Sequence, residues 1–131
     1  MNKKNKDDSL GKKGSYLGTE IDEKWWKRCS KYGLLARGSG TWGFEDESFF
    51  FLRHLTREPI RIPYREIREV KTGKWHSGRW CFGYPIMKII WVKDGVTLSS
   101  GFLVSKKIDD VSELMADLRR KIEDHETVTQ G

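Results

Sequence analysis

The spacing of apolar residues along the chain separates a long central region from a short segment on each side of it. Between Gly33 and Ser105, β-branched and aromatic residues alternate with polar ones and are interrupted by Gly, Pro and Asp, as in short strands. This pattern predicts seven strands, at approximately 33–38, 40–45, 48–55, 59–62, 66–73, 86–93 and 96–104. On both sides of this region the apolar residues recur at helical spacing.

The segment before the strands predicts a short amphipathic helix over residues 20–32 that ends at Gly33. Four residues recur there at spacings of four, four and three, with basic residues on the other sides: Ile21, Trp25, Cys29 and Tyr32. Residues 1–18 are rich in Lys and Gly and hold few apolar side chains. They predict a disordered basic tail, because so little apolar surface does not offset the entropy lost on ordering.

The segment after the strands predicts a second helix, over residues 109–124. Its apolar residues form one stripe: Ile108, Val111, Leu114, Met115, Leu118 and Ile122. The alternative is a coiled coil, but two heptads are fewer than that structure needs, so packing on the sheet is favoured. Residues 125–131 are interpreted as a frayed end, which leaves residues 19–124 as a single domain.

Asp94-Gly95 predicts a two-residue turn between the last two strands. If Lys93 lies opposite Val96, the core side of this hairpin pairs Trp91 with Leu98, Ile89 with Ser100, and Met87 with Phe102. The other side is too apolar to face water, because it carries Ile86, Ile90, Val92 and Leu103. We expect either that the helix over 20–32 covers it, with Trp25 packed on it, or that it forms an interface between subunits.

The order of these elements resembles a pleckstrin-homology-like barrel, in particular its GRAM and bacterial pleckstrin-homology branches. The resemblance is carried by four stretches: Gly40 to Phe44 leading into Ser48 to Phe51, then Pro59 to Ile67, Gly83 to Ile89, and Ser100 to Leu103. It covers about residues 33–124. The expected fold is therefore a mainly β, seven-stranded antiparallel barrel with a C-terminal capping helix, preceded here by an extra N-terminal amphipathic helix.

What the resemblance implies is a non-catalytic module that binds phospholipid headgroups, peptides or other proteins. Relatives that bind phosphoinositides use a basic cluster around the first hairpin. Here that hairpin carries Arg37 and then Glu45, Asp46 and Glu47, whose charge repels a phosphate. Headgroup binding is therefore not expected at that position.

Composition adds a modest positive charge and excludes several classes of protein. The 131 residues hold 25 Lys and Arg against 19 Asp and Glu, a formal net charge of +6. No secretory signal or membrane-spanning run is present in the sequence, which predicts a cytoplasmic protein, with a peripheral position at the membrane as the alternative. Neither Cys29 nor Cys81 has a local signature of a nucleophile, and no zinc-like spacing occurs, so we expect no enzyme activity, metal or cofactor.

The loop before Trp80 predicts a small anion site. Lys74, His76 and Arg79 are placed to converge on a phosphate or carboxylate, with Trp75 or Trp80 against the ligand. The alternative is structural: both tryptophans pin the loop to the barrel, and the histidine bonds a backbone carbonyl.

Two surfaces are candidates for partners. The apolar face of Ile86, Ile90, Val92 and Leu103, with Trp25 and Trp26 beside it, favours association with a protein or a second copy, and this is the leading interpretation. The runner-up is attachment to anionic lipid through the basic loop and through Trp25 and Trp26, which are flanked by lysines. Nucleic-acid binding is the least favoured, because most aromatics occupy predicted core positions.

Overall fold

A computed structural model describes residues 12–54 and 56–130, where it has ten strands and one long helix. The strands are β1 (Lys12–Ile21), β2 (Lys24–Arg28), β3 (Gly38–Phe44), β4 (Ser48–Arg53), β5 (Ile60–Pro63), β6 (Ile67–Gly73), β7 (Trp75–His76), β8 (Arg79–Trp80), β9 (Ile86–Lys93) and β10 (Val96–Leu103). A 3-10 turn at Tyr64–Glu66 precedes β6, and helix α1 covers Ile108–Gln130.

Seven strands form one antiparallel path in the order β5-β4-β3-β1-β10-β9-β6. β1 is at the middle of this path because it pairs with β3 on one side and with β10 on the other. β2 pairs with the end of β1, and β7 and β8 form a separate small hairpin. The architecture is mainly β with a carboxyl-terminal helix, as the sequence predicts, although the described residues hold ten strands rather than seven.

The structure corrects the prediction for the amino-terminal part. Residues 12–18 belong to strand β1 and not to a disordered tail, while residues 1–11 lie outside the described part. The helix predicted over 20–32 is absent, because Asp22 and Glu23 have φ angles of 55° and 56°, which a right-handed helix excludes. They form a turn that leads into β2. Nor is 33–38 the first strand, since residues 33–37 form a connection before β3.

A bulge in β1 explains why its alternation is hard to recognise in the sequence. The pairing with β10 shifts between Tyr16 and Thr19, and Gly18 in the bulge has a φ of 103°. Glycine adopts this backbone angle without the strain that a side chain would add. The extra residue places both Tyr16 and Thr19 on the inner side of the sheet, where they join one hydrogen-bonded cluster.

The β9–β10 hairpin has the predicted register. Lys93 pairs with Val96, and Trp91 pairs with Leu98. The core-side pairs Ile89 with Ser100 and Met87 with Phe102 are also present. Asp94 and Gly95 both have positive φ angles, of 52° and 79°, as a two-residue turn of this kind requires.

The core lies on the inner side of the sheet and is rich in aromatic rings. The ring of Phe102 is centred 5.5 Å from that of Tyr16, 5.2 Å from Phe49 and 5.6 Å from Phe51. Helix α1 closes this core with Val111, Leu114, Met115 and Leu118, which lie on the predicted stripe. The helix continues to Gln130 instead of fraying after residue 124, and His125 packs against Tyr64 with 4.9 Å between ring centres.

A chain of hydrogen bonds crosses this apolar core. The Tyr16 hydroxyl donates to the Leu34 carbonyl at 2.5 Å, and it lies 2.7 Å from Thr19 Oγ1. Thr19 Oγ1 lies 2.6 Å from Ser100 Oγ, which accepts from Trp91 Nε1 at 3.0 Å. Each of the three hydroxyl groups can therefore donate one hydrogen bond and accept one, with donation running from Trp91 towards the Leu34 carbonyl. Burial raises the pKa of Tyr16 well above its ordinary value, so its hydroxyl remains a donor.

Candidate binding surface

The β7–β8 hairpin lies against the outer face of the sheet, which is the side of β1, β10 and β9 turned away from the aromatic core. Its two strands pair Trp75 with Trp80 and His76 with Arg79. Ser77 and Gly78 form the turn, with φ angles of 52° and 80°. Neighbouring side chains in a strand point to opposite faces. In β7, His76 therefore faces the sheet, and Trp75 faces solvent and is 62% exposed.

His76 is completely buried at the contact between this hairpin and the sheet. Its ring contacts Gly101 so closely that a Cβ atom at that position would lie 2.4 Å from the imidazole. Its Nε2 lies 2.8 Å from the Gly18 carbonyl oxygen, in the β1 bulge. The absence of a side chain at position 101 is therefore what allows the hairpin to reach the sheet.

Two further residues hold the hairpin through polar contacts. The backbone N–H of Ser77 donates to Glu20 Oε2 at 2.6 Å, and that glutamate is 3% exposed. Arg37 donates to the carbonyl of Leu17 at 3.0 Å and to the carbonyl of Ser77 at 2.6 Å. One guanidinium thus joins the bulge of β1 to the turn of the hairpin.

Burial at this contact favours the neutral form of His76. Burial lowers the pKa of the imidazole below its ordinary value, although the adjacent Glu20 acts in the opposite direction. Lys88 and Arg37 lower the pKa of His76 further, because their positive charges repel an added proton.

The structure does not gather Lys74, His76 and Arg79 into one exposed site. Lys74 and Arg79 are exposed, whereas the imidazole lies beneath the hairpin and bonds a backbone carbonyl, as the structural alternative expects. The tryptophans do not pin the loop, because both remain largely in solvent. An anion bound by Lys74 and Arg79 alone stays a prediction.

The apolar outer side of the β9–β10 hairpin is covered within the chain. Ile86 and Ile90 are buried yet lie outside the main core cluster, and Val92 and Leu103 are half-buried. On this side of β10 the ring of His76, from β7, contacts Gly101, and the described residues form no helix over 20–32. Ile86 and Ile90 are therefore not displayed to a partner, which corrects that part of the predicted interface, whereas a contact through Val92, Leu103, Trp25 and Trp26 stays a prediction.

Five large aromatic side chains are instead exposed near the same hairpin. Trp25 is 63% exposed, Trp26 61%, Trp75 62%, Trp80 49% and Phe82 80%. We call these five residues the aromatic surface. The sequence singles out the four tryptophans, whereas Phe82 is missed, because its exposure depends on how the loop around it folds.

Contacts connect the members of the aromatic surface. The rings of Trp25 and Trp26 meet edge to face at 5.8 Å, and the ring of Trp25 lies 3.7 Å from a Cβ placed on Gly78 in the hairpin turn. Trp80 pairs with Trp75 across the hairpin and lies 5.7 Å from Phe82 between ring centres. The two groups of aromatics thus meet where Trp25 of β2 lies against the turn of the β7–β8 hairpin.

Basic residues lie in and beside the segments that carry the aromatic surface. They are exposed, and they comprise Lys24, Lys27, Arg28, Lys31, Lys74 and Arg79. The nearest acidic residues in sequence are Asp22 and Glu23, and Glu23 is already paired with Lys71 at 2.5 Å. The region combines exposed apolar rings with an excess of positive charge.

A cavity elsewhere among the described residues has a different character. It measures about 540 Å³ and lies between β3 and the start of α1, with Trp42, Phe44 and Leu114 among its lining residues. Asp110, Glu113 and Asp117 also line it. Three carboxyl groups make this cavity unsuited to a phosphate or a carboxylate ligand.

The described ranges hold neither a cluster of ligands for a metal ion nor a membrane-spanning helix. No group of three or more His, Cys, Asp or Glu side chains there is placed to hold a metal ion. Helix α1 carries too many charges to cross a bilayer, and no other helix in these ranges is long enough to do so.

A seven-strand path centred on β1 and closed by a carboxyl-terminal helix defines a pleckstrin-homology-like protein. The sequence profile of the family described as Bacterial PH domain-like matches residues 1–119. The chain belongs to this family, whose fold suggests a binding or interaction module, and such domains are generally non-catalytic. No curated protein and no solved structure shows significant similarity to the chain.

Proposed function

We propose that this protein is a non-catalytic module that attaches peripherally to anionic phospholipid surfaces through the aromatic surface. The observation that carries the proposal is the exposure of the five large side chains of the aromatic surface, beside six cations. This reverses the order of the two interpretations drawn from the sequence, because the apolar face that favoured protein association is covered.

The chemistry of a lipid interface matches both parts of this region. Indole rings are enriched at the level of the lipid headgroups, where one edge is apolar and the N–H remains hydrated. A Lys or Arg near an anionic leaflet contributes about 1 kcal/mol of attraction. Stable attachment generally needs two such signals together, and the aromatic surface with its cations supplies an apolar and an electrostatic one.

Association with a protein or a second copy is the competing function for the same residues. Exposed apolar patches also mark protein interfaces, and tryptophan is enriched at their energetic centres. Light scattering distinguishes the two, because a stable multiple of 15.3 kDa at both low and high salt favours a second copy. A GRAM-like relationship and a cytoplasmic location stay predictions under either function.

Charge reversal on β2 tests the lipid proposal. Lys24→Glu with Lys27→Glu removes two attractions and adds two repulsions, so binding to phosphatidylserine-containing vesicles is expected to weaken by at least about tenfold. The measurement is co-sedimentation of the full chain with vesicles of phosphatidylcholine, with and without phosphatidylserine, at low and high salt.

The matched control has the same change of charge on other elements. Arg57→Glu with Lys107→Glu alters two exposed cations in the β4–β5 connection and just before α1. This control is expected to lose much less affinity than the β2 variant. Equal losses in the two variants would reduce the proposal to non-specific charge attraction, and no binding by the native chain would refute it.

A further inference from the structure

A buried histidine and a buried glutamate face each other where the β7–β8 hairpin meets the outer face. A carbonyl oxygen only accepts hydrogen bonds, so His76 Nε2, 2.8 Å from the Gly18 oxygen, must carry a hydrogen. Neutral His76 therefore has an unprotonated Nδ1. That atom is buried without a hydrogen-bond partner and lies 3.8 Å from Glu20 Oε2.

The charged groups around His76 come from every element packed on it. β1 contributes Glu20, β9 contributes Lys88, and the segment before β3 contributes Arg37. Within the hairpin, Arg79 lies opposite His76. β10 contributes Gly101, which carries no charge. A proton added to Nδ1 would thus enter a completely buried site with one acidic group, Glu20, and three cations around it.

We propose that the β7–β8 hairpin is a latch that acid releases: protonation of His76 frees the hairpin from the outer face and separates the two halves of the aromatic surface. The effect on lipid attachment rests on the proposed function, whereas the release itself does not. The hairpin carries Trp75 and Trp80, so its release removes them from the side of Trp25 and Trp26.

The direction of the pH effect follows from proton linkage. In a released hairpin His76 regains water and an ordinary pKa of about 6.5. Burial holds the pKa of docked His76 below that value, so the released form binds the proton more strongly. The docked form is fully favoured above about pH 6.5, and below it the ratio of released to docked molecules rises by up to about tenfold per pH unit. The rise ends where docked His76 itself becomes protonated.

Hydrogen exchange measures this release on the full chain. The Ser77 N–H is bonded to Glu20 beneath the hairpin, so it exchanges only when the hairpin opens. After correction for intrinsic exchange rates, protection of peptides covering 74–80 is expected to fall as the pH is lowered from about 7.5 to 5. Protection of peptides within β10 is expected to stay constant.

Two variants separate the latch from general acid destabilisation. His76→Gln keeps an N–H donor for the Gly18 carbonyl but does not titrate in this range, so its protection is expected to be independent of pH. Gly101→Ala places a Cβ against the imidazole and is expected to release the hairpin at every pH. Native protection that does not change with pH, or the same pH response in His76→Gln, would overturn the latch, even if Gly101→Ala fails to fold.

Vesicle binding at the two ends of this pH range tests the coupling to lipid. The native chain is expected to bind phosphatidylserine-containing vesicles more weakly at the acidic end, and His76→Gln is expected to bind equally at both. An equal loss in both proteins would overturn the coupling. If no protein binds vesicles at either pH while the exchange result holds, the proposed function fails and the latch stands.

Discussion

Single buried polar residues play two different parts in this protein. In the core, Tyr16, Thr19 and Ser100 complete each other's hydrogen bonds, so their burial costs little. At the outer face, Nδ1 of His76 and the hydroxyl groups of Ser77 and Ser99 are buried without a partner. The hydrogen-bonded core residues stabilise the sheet. The unpartnered atoms at the outer face cost free energy when the hairpin is docked, so they make the hairpin easier to displace.

Thr19→Val tests the stabilising part of this account at the scale of one residue. The substitution keeps the shape of the side chain but removes the middle hydroxyl of the chain, leaving its neighbours unsatisfied. We expect a loss of about 1–3 kcal/mol in the free energy of unfolding, measured by urea denaturation. Thr72→Val on the exposed side of β6 is the control, and we expect it to change stability by less than about 0.5 kcal/mol. A loss no larger than the control's would contradict this role for the hydrogen-bonded chain.

At the scale of elements, the β7–β8 hairpin depends on the sheet for its position. Strands of two residues each form too few hydrogen bonds to hold a hairpin in water. Its anchors are instead Arg37, Glu20 and the fit of His76 on Gly101. The element that carries two of the exposed tryptophans is thus positioned by residues distant in sequence.

Arg37→Ala is expected to loosen this hairpin selectively. The substitution removes the donors to the Leu17 and Ser77 carbonyls, and hydrogen bonds from charged groups contribute about 1.5–3 kcal/mol each. Hydrogen exchange of residues 74–80 should accelerate by at least about tenfold, while β9 and β10 keep their protection. Arg57→Ala, at an exposed position, serves as the control. Unchanged exchange in Arg37→Ala would show that other contacts hold the hairpin.

At the scale of the whole molecule, the two ends of the fold differ in chemistry. The cavity between β3 and α1 is lined by three carboxyl groups, whereas β2 and the β7–β8 hairpin combine exposed aromatics with cations. The four exposed tryptophans all belong to the aromatic surface, and the other two, Trp42 and Trp91, are buried in the core. The chemistry that suits an anionic surface is therefore found on β2 and the β7–β8 hairpin and not at this cavity.

The features of the fold that depend on residues close together in the sequence could be predicted. Asp94-Gly95 determines the register of its hairpin, and the apolar stripe of α1 identifies the face that packs on the sheet. β1 could not be recognised, because its bulge at Gly18 interrupts the alternation and its burial depends on two distant partner strands. The helical spacing that includes Trp25 was misleading, since β2 is exposed along its whole length.

The candidate site could be predicted only in part, for the same physical reason. The sequence identifies Lys74, His76 and Arg79 as unusual neighbours, but it does not show which of them faces the sheet. That depends on Gly101 and Glu20, which are far from His76 along the chain. Trp25 and Trp26, which the sequence singles out, are exposed, but on a strand rather than a helix.

Intrinsic tryptophan fluorescence with vesicles tests the central claim most directly, because the four exposed tryptophans are all in the aromatic surface. Adding phosphatidylserine-containing vesicles is expected to shift the emission to shorter wavelength, and brominated acyl chains are expected to quench it. Phosphatidylcholine vesicles are expected to do neither. An emission spectrum that stays the same with saturating phosphatidylserine vesicles, and that brominated lipid does not quench, would contradict attachment through this surface.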